Sequence, residues 1–214
     1  MINEIITKHG VIKFEEKILV NGQKTINIEK ATSNLLDVKK SLDKNRVKFG
    51  LIFGTLLGAV RENGFIEHDE DIDLFVLEED REDLLAAMHD LIDNGFELIR
   101  YTDKLLSIIR DDEYVDFYFF KKSGFFYRKC DVGLKAKAKY LEQTIDYPFL
   151  GTSFRVPKNP EDFLVDLYGK NWRIPKKNDP SINHNKYIIL RESIKKNSPL
   201  LFRLLSKIKK ALNT

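Results

Sequence analysis

Cysteine is almost missing from this chain: Cys130 stands alone among 214 residues. That excludes an intramolecular disulfide, and no Cys/His cluster has the spacing of a structural zinc site. A chain of this kind suits a reducing compartment. An excess of charge of one sign is lacking too. The 36 Lys and Arg against 33 Asp and Glu leave a formal charge of +3, too balanced for the overall field to mark a nucleic-acid binder, and no nucleic-acid partner is expected. No apolar run approaches the length needed to span a bilayer, and the opening MINEIITKHG has no basic region followed by a sustained apolar stretch. The expected location is cytoplasmic. Repeats and low-complexity segments are absent as well.

What is present is 43% hydrophobic residues, enough for one sizeable core or for one core with a small helical appendage. The expected division is a single domain over residues 1–180 followed by a helical segment over 181–214. Two β-prone runs flank Asn21-Gly22, a pair that favours a tight hairpin turn, so a hairpin is expected to start the fold. Helical patterning follows from Thr32 or Ser33 as N-cap, with Leu35, Leu36, Val38 and Leu42 as its stripe. Lys48–Phe53 reads as a short buried strand ending at Gly54-Thr55, where a helix begins. After the acidic segment, EEDREDLLAAMHDLIDNG reads as a helix burying Leu84, Leu85, Met88 and Leu91 and stopping at Asn94-Gly95. FELIRY, LLSIIR and EYVDFYFF read as three strands, with Asp111-Asp112 as the turn between the last two, and Phe125–Cys130 as a further short one. FLGTSFRVPKNPEDFLVDLYGKNWRIP gives a strand, a Pro-marked turn and a helix closed by Gly169. The tail SPLLFRLLSKIKKALNT places Leu201, Leu204, Leu205, Ile208 and Leu212 at helical spacing against Arg203, Lys207, Lys209 and Lys210, a basic amphipathic helix suited either to an anionic membrane face or to packing on the domain or a second copy.

Chemistry concentrates in FGTLLGAVRENGFIEHDEDIDLFV, Phe53 to Val76. Asp69, Asp71 and Asp73 occupy alternate positions. In an extended segment such side chains share a face, so Asp71 and Asp73 can hold one divalent ion while Ile72, Leu74 and Val76 anchor the opposite face. Such an ion completes its oxygen shell with water, phosphate or a further carboxylate, and Asp116, set among aromatic residues in YVDFYFF, is costly to bury without a cation. Asp116 could then orient or deprotonate an attacking hydroxyl. Gly54 and Thr55 open a helix whose free N–H groups suit a phosphate, and Arg61 could clamp it. Blander readings stand beside these. The aspartates could form a solvated acidic turn, Asp116 could partner Arg110, Arg61 could pair with Glu62 or Glu67, and His68 could be a packing or hydrogen-bonding residue. Cys130 reads as a small core residue.

The run GTLLGAVRENGFIEHDEDIDLFV resembles the signature of the LicD family, which includes phosphocholine transferases of bacterial surface glycans and is related to the fukutin-type phosphotransferases. VDFYFF stands where the family has its third-carboxylate strand, and VPKNPEDFLVDLYGKNWRIP resembles its closing YG-x-x-W-x-x-P segment. The resemblance covers most of Phe49 to Pro175. It implies an α+β fold, a nucleotidyltransferase-like mixed β-sheet flanked by helices, with the C-terminal helical extension outside the resemblance. It implies Asp71, Asp73 and Asp116 as catalytic metal carboxylates with Asp69 beside them, Mg²⁺ or Mn²⁺ as the cofactor, and Gly54 and Thr55 as the phosphate-facing turn. His68 stands where the family has tryptophan, and Glu70 where it has aspartate, which marks His68 as a position of this chain's own specificity. Trp172 and Tyr168 match the closing motif, where they are expected to pack the last helix on the sheet. The implied activity is transfer of a substituted phosphate, of the phosphocholine or polyol phosphate type, from a CDP-linked donor to a sugar hydroxyl of a surface glycan such as lipopolysaccharide, capsule or teichoic acid. Alternatives are a nucleotidyltransferase attaching NMP to a small acceptor and a non-catalytic scaffold. The basic tail adds an expected peripheral contact at the inner face of the membrane.

Overall fold

The computed structural model describes residues 2–17, 25–130 and 134–175. The Asn21-Gly22 turn and the basic C-terminal helix lie outside them. A hairpin does start the fold, but it is built earlier, from β1 (Ile2–Thr7) and β2 (Gly10–Glu15). Ile5, Ile12 and Phe14 face the core while Ile6 and Val11 remain exposed, the alternation expected of a ribbon laid on the domain surface.

Helix α1 spans Ile28–Lys44, one turn earlier than Thr32 or Ser33 would start it. Asn27 is the N-cap: its side chain accepts from the Lys30 N–H at 3.0 Å. That satisfies a helix-end donor, and the apolar stripe gives no sign of it because the first turn is largely exposed. Ala31, Leu35, Val38 and Leu42 then recur along one buried face, with Leu36 at its margin.

The central sheet combines β3 (Phe49–Leu51), β4 (Ile72–Leu77), β5 (Glu97–Tyr101), β6 (Leu105–Arg110) and β7 (Glu113–Lys122) in the order β3-β4-β7-β6-β5. The strands β8 (Tyr127–Lys129) and β9 (Lys135–Lys137) extend it from the far end of β7. Only β4 and β7 run parallel in this path, their neighbours pairing antiparallel, so the sheet is mixed and its two central strands are buried on both faces. Ile72–Val76 is buried without interruption. Leu74, Val76, Val115 and Phe117 carry the core, each full burial contributing roughly 1.5–3 kcal/mol.

Helices α2 (Phe53–Arg61) and α3 (Arg81–Asp93) flank the sheet, α3 packing against α1. Helix α3 buries Leu84, Leu85, Met88 and Leu91, and Gly95 closes it with φ 86°. The turn at Asp111-Asp112 has φ of 56° and 66°, the paired positive angles of a tight two-residue hairpin. Helix α4 (Ala138–Glu142), the hairpin of β10 (Thr144–Phe149) and β11 (Thr152–Pro157), and α5 (Pro160–Tyr168) complete the domain. Strand β10 is not evident from the sequence, since Pro148 interrupts its pattern and five of its six residues are only half-buried or exposed. Where β11 crosses β3, a side chain at Gly50 would come within 2.5 Å of the Phe75 ring and 2.8 Å of the Arg155 carbonyl, so only glycine lets the two strands approach. Cys130 is buried.

Buried Arg128 ties β8 to the rest. It donates to Glu79 at 2.6 Å, to Glu142 at 2.8 Å and to the Phe120 carbonyl at 3.3 Å. The Arg128 hydrogen bond holds the Glu79 carboxyl down at about 2, from an ordinary 4.5. A depressed folded-state value gives stability that is present above 4.5 and fades as pH falls toward 2. Urea unfolding of the wild type and Glu79→Gln should therefore differ by a constant amount at neutral pH, and by progressively less between pH 4.5 and 2.

Candidate active site

Helix α2 begins on a strained residue. Phe53 has φ 45°, a conformation that costs a bulky side chain on the order of 1–3 kcal/mol. Its ring is held edge-on against Tyr118, with centroids 4.8 Å apart. The result aims the next N–H, that of Gly54, at Asp73 Oδ2, 2.9 Å away. Thr55, fully buried, accepts from the Asp73 N–H at 2.8 Å. Gly54 and Thr55 thus grip Asp73 from both ends of its residue, and the helix N-terminus adds a favourable field.

Asp69 arrives from the turn before β4. A Cβ on Gly54 would sit 2.1 Å from Asp69 Oδ2, so glycine is what lets this carboxylate approach the helix. Asp69 Oδ1 accepts from the Glu70 N–H at 3.1 Å, whereas Oδ2 is buried with no hydrogen-bond partner among the described residues. Asp69, Asp71 and Asp73 each offer an oxygen, and these lie within 4.8 Å of one another. A buried, unpaired acceptor in a trio of carboxylates fits a hard divalent cation, which prefers oxygen ligands and offsets their repulsion.

Asp116 lies directly beside Asp73 in the parallel register of β4 and β7. Its partner is Arg100, not Arg110: Arg100 Nη2 donates at 2.9 and 3.1 Å, and buried Ser107 donates at 2.5 Å. Arg110 instead binds Asp37 at 2.7 Å and Asn34 at 2.9 Å, and lies over the Phe96 ring. Arg100 and Ser107 were not evident as site residues, although each is a polar break in an apolar strand, the same signal that singles out Asp116.

Burial pushes the carboxyls upward throughout. Asp69 rises to about 6. Asp71 and Asp73 rise well above the ordinary 3.8, through burial first; Asp69 and then Asp116 add to it at Asp71, and Asp71, Asp69 and Asp116 add to it at Asp73. Burial also raises Asp116, against the opposing pull of Arg100 and Ser107. Tyr168 senses the same charges: burial lifts its hydroxyl well above 10, and Asp73 and Asp69 add to that while Arg61 opposes it. The closing YG-x-x-W segment therefore borders the carboxylates. Arg61 is tied to it, donating to the Trp172 carbonyl at 3.3 Å and to Glu62 at 2.6 and 3.0 Å. Those bonds satisfy the pairing with Glu62 and give Arg61 a structural task. His68 is exposed on the turn before Asp69, and no hydrogen bond joins it to the cluster among the described residues.

The raised carboxyls carry a sign. Their charged forms are disfavoured in the folded state, so without cations stability should fall as pH rises from about 4 through about 6. Adding Mg²⁺ at about 100-fold over its dissociation constant should raise Tm by roughly 5–10 °C at pH 8 and by less at pH 5, where protons compete. Asp71→Asn should melt higher than the wild type without cation and lose the cation response. Gly54→Ala should weaken that response by displacing Asp69. Differential scanning fluorimetry across pH and Mg²⁺ concentration checks all three.

Residues 46–159, more than half of the chain, match the family model described as LicD/FKTN/FKRP, nucleotidyltransferase domain. The human ribitol-5-phosphate transferase FKTN is 25% identical over 188 residues, covering 80% of this chain and 41% of its own length. An uncharacterized protein of Rickettsia prowazekii is 35% identical over 65 residues, 30% of this chain and 23% of that one. The chain thus spans about two-fifths of the length of its FKTN relative. Among solved structures, ANT(2")-Ia in complex with adenylyl-2"-tobramycin superposes with a TM-score of 0.50 at 15% identity, over 86% of this chain and 99% of that one, a likeness of fold. With a mixed sheet, flanking helices and the matched span in agreement, the chain belongs to the LicD/FKTN/FKRP family and carries its nucleotidyltransferase domain.

Proposed function

We propose that this chain is a phosphotransferase that moves a substituted phosphate, of the phosphocholine or polyol phosphate type, from a CDP-linked donor to a sugar hydroxyl of a surface glycan. The observation that carries this reading is the meeting of three carboxylate oxygens within 4.8 Å with Asp73 fixed by the Gly54 N–H in the first turn of α2. Family membership supports it, as does the activity named for the FKTN relative.

Asp69, Asp71 and Asp73 would hold Mg²⁺ or Mn²⁺, which when bound supplies neutralisation of the donor's diphosphate charge. The acceptor hydroxyl oxygen attacks the phosphorus bearing the substituent, the bond from that phosphorus to the bridging oxygen breaks, and CMP leaves with the bond's electron pair. Asp116, aligned with Asp73 across β4 and β7, accepts a hydrogen bond from the acceptor hydroxyl and orients it. The hydroxyl proton passes to solvent as the new phosphodiester forms. The α2 N-terminus would face phosphate oxygens, and Arg61, anchored by Trp172 and Glu62, would add its charge from beside Tyr168. His68, exposed on the turn before Asp69, would contact a donor head group or acceptor. The lone, buried Cys130 agrees with a cytoplasmic site of action, and the basic tail with attachment at the inner membrane face.

The test is CMP release from CDP-ribitol and CDP-choline in the presence of Mg²⁺ and a glycan acceptor. Asp73→Asn should lower the rate by at least about 10³-fold, as loss of a group that holds charge in the transition state does. His68→Ala should change the preference between the two donors and leave Mg²⁺ dependence intact. Pyrophosphate release from CTP with NMP-modified acceptor, and no CMP from either donor, would overturn the proposal in favour of nucleotidyl transfer.

A further inference from the structure

Four adjacent strands each contribute one residue to a single polar row across the sheet. Arg100 on β5 pairs with Ser107 on β6, Ser107 with Asp116 on β7, and Asp116 with Asp73 on β4. The side chains follow the backbone register. Arg100 Nε donates to Ser107 Oγ at 2.9 Å, Ser107 Oγ donates to Asp116 Oδ1 at 2.5 Å, and Arg100 Nη2 reaches both Asp116 oxygens. Arg100 joins the row only because the register of β5 shifts between Leu98 and Arg100. Without that bulge Ile99 would oppose Ser107 and the guanidinium would point through the other face of the sheet. Bulges beside functional sites re-aim side chains in this way.

We infer that Arg100 is a resident positive charge that takes the place of a second metal ion. The centre takes one divalent cation, on Asp69, Asp71 and Asp73, and Asp116 is neutralised and oriented by Arg100. This rests on the proposed cation site but makes a separate claim about its composition. Asp116 is 4% exposed in its side chain and Arg100 28%, so the pair is sheltered from solvent. Both Asp116 oxygens already accept from Arg100, and Oδ1 also accepts from Ser107. To ligate an ion, Asp116 would have to release a fixed cationic fork and leave it beside a like charge. Among the described residues, Asp69, Asp71 and Asp73 have no such cation within hydrogen-bond distance, and Asp69 Oδ2 has no hydrogen-bond partner. The two halves of the carboxylate group are therefore built differently, one for an exchangeable ion and one around a fixed guanidinium. Arg100 is a positioning residue: it acts through Asp116, whose lone pairs it occupies, and so makes Asp116 an orienting acceptor and a weak base.

The test counts Mn²⁺ by isothermal titration and by electron paramagnetic resonance on the full chain, with Mn²⁺ alone as the probe. The wild type should bind one ion. Arg100→Gln, which can still bond to Ser107 and Asp116 but lacks the charge, should bind two, and Arg100→Lys should return to one. Arg100→Gln combined with Asp116→Asn should also bind one, which assigns the extra ion to Asp116. Crystals grown with Mn²⁺ and CDP should show one anomalous peak, at Asp69, Asp71 and Asp73. Two ions in the wild type, a second peak at Asp116 in the CDP complex, or a single ion in a folded Arg100→Gln would overturn the inference and leave the cation site intact. Failure of every variant and of the wild type to bind Mn²⁺ would overturn the proposed cation site itself.

Discussion

Repulsion among buried carboxylates is the constraint around which this domain is arranged. Four aspartates gather where water is scarce: burial makes all four harder to ionise, and at Asp71 and Asp73 the charges of neighbouring aspartates add to it. A protein selected for stability alone would replace them, since buried charge without a partner costs several kcal/mol. The chain instead surrounds the cluster with devices that hold it: the Gly54 N–H and the Thr55 hydroxyl on Asp73, Arg100 and Ser107 on Asp116. What those devices leave undone is the charge of Asp69, Asp71 and Asp73. In the proposed function a divalent cation and a phosphate-bearing substrate would complete the arrangement, coupling binding and stability through the same few oxygens.

The fold supplies rigidity for that tension. Strands β4 and β7 run side by side through the core, with Phe117, Phe119, Leu74 and Val76 buried, and this fixes the spacing of Asp73 and Asp116 to that of neighbouring strands. Helix α2 is pinned by its close approach to the turn at Gly64, where a side chain on Gly58 would come within 2.5 Å of a carbonyl oxygen. The strain at Phe53 is held by packing on Tyr118. Arg81 and Arg128 do similar work farther off: the first lies 3.6 Å from the Phe119 ring centroid, and the second binds Glu79 and Glu142.

Much of this was legible before any coordinates. Apolar runs bounded by turn residues marked β3, β4, β6 and β7, and Asp111-Asp112 announced its hairpin, because side-chain period and turn chemistry are local properties. The aspartates were legible because a polar residue inside an apolar strand is conspicuous. Other features depended on tertiary context. Asn27 caps α1 through a short-range bond that leaves no apolar stripe, and the hairpin of β1 and β2 turns at Lys8-His9, a pair with no turn signature of its own. Arg100 reaches Asp116 only because a bulge shifts its register, and a bulge has no reliable sequence mark. The pairing of Arg61 with Glu62 is open to sequence reasoning because the two are neighbours, whereas its bond to the Trp172 carbonyl joins residues more than a hundred positions apart.

The central claim is that this cluster transfers a substituted phosphate rather than a nucleotide, and the fate of one phosphorus atom decides it. With CDP-ribitol radiolabelled in the phosphate that bears the ribitol, Mg²⁺ and a glycan acceptor, the account predicts that the label enters the glycan as a phosphodiester and that the released CMP is unlabelled. Label remaining in the soluble fraction as ribitol phosphate, with CMP attached to the acceptor, would contradict it.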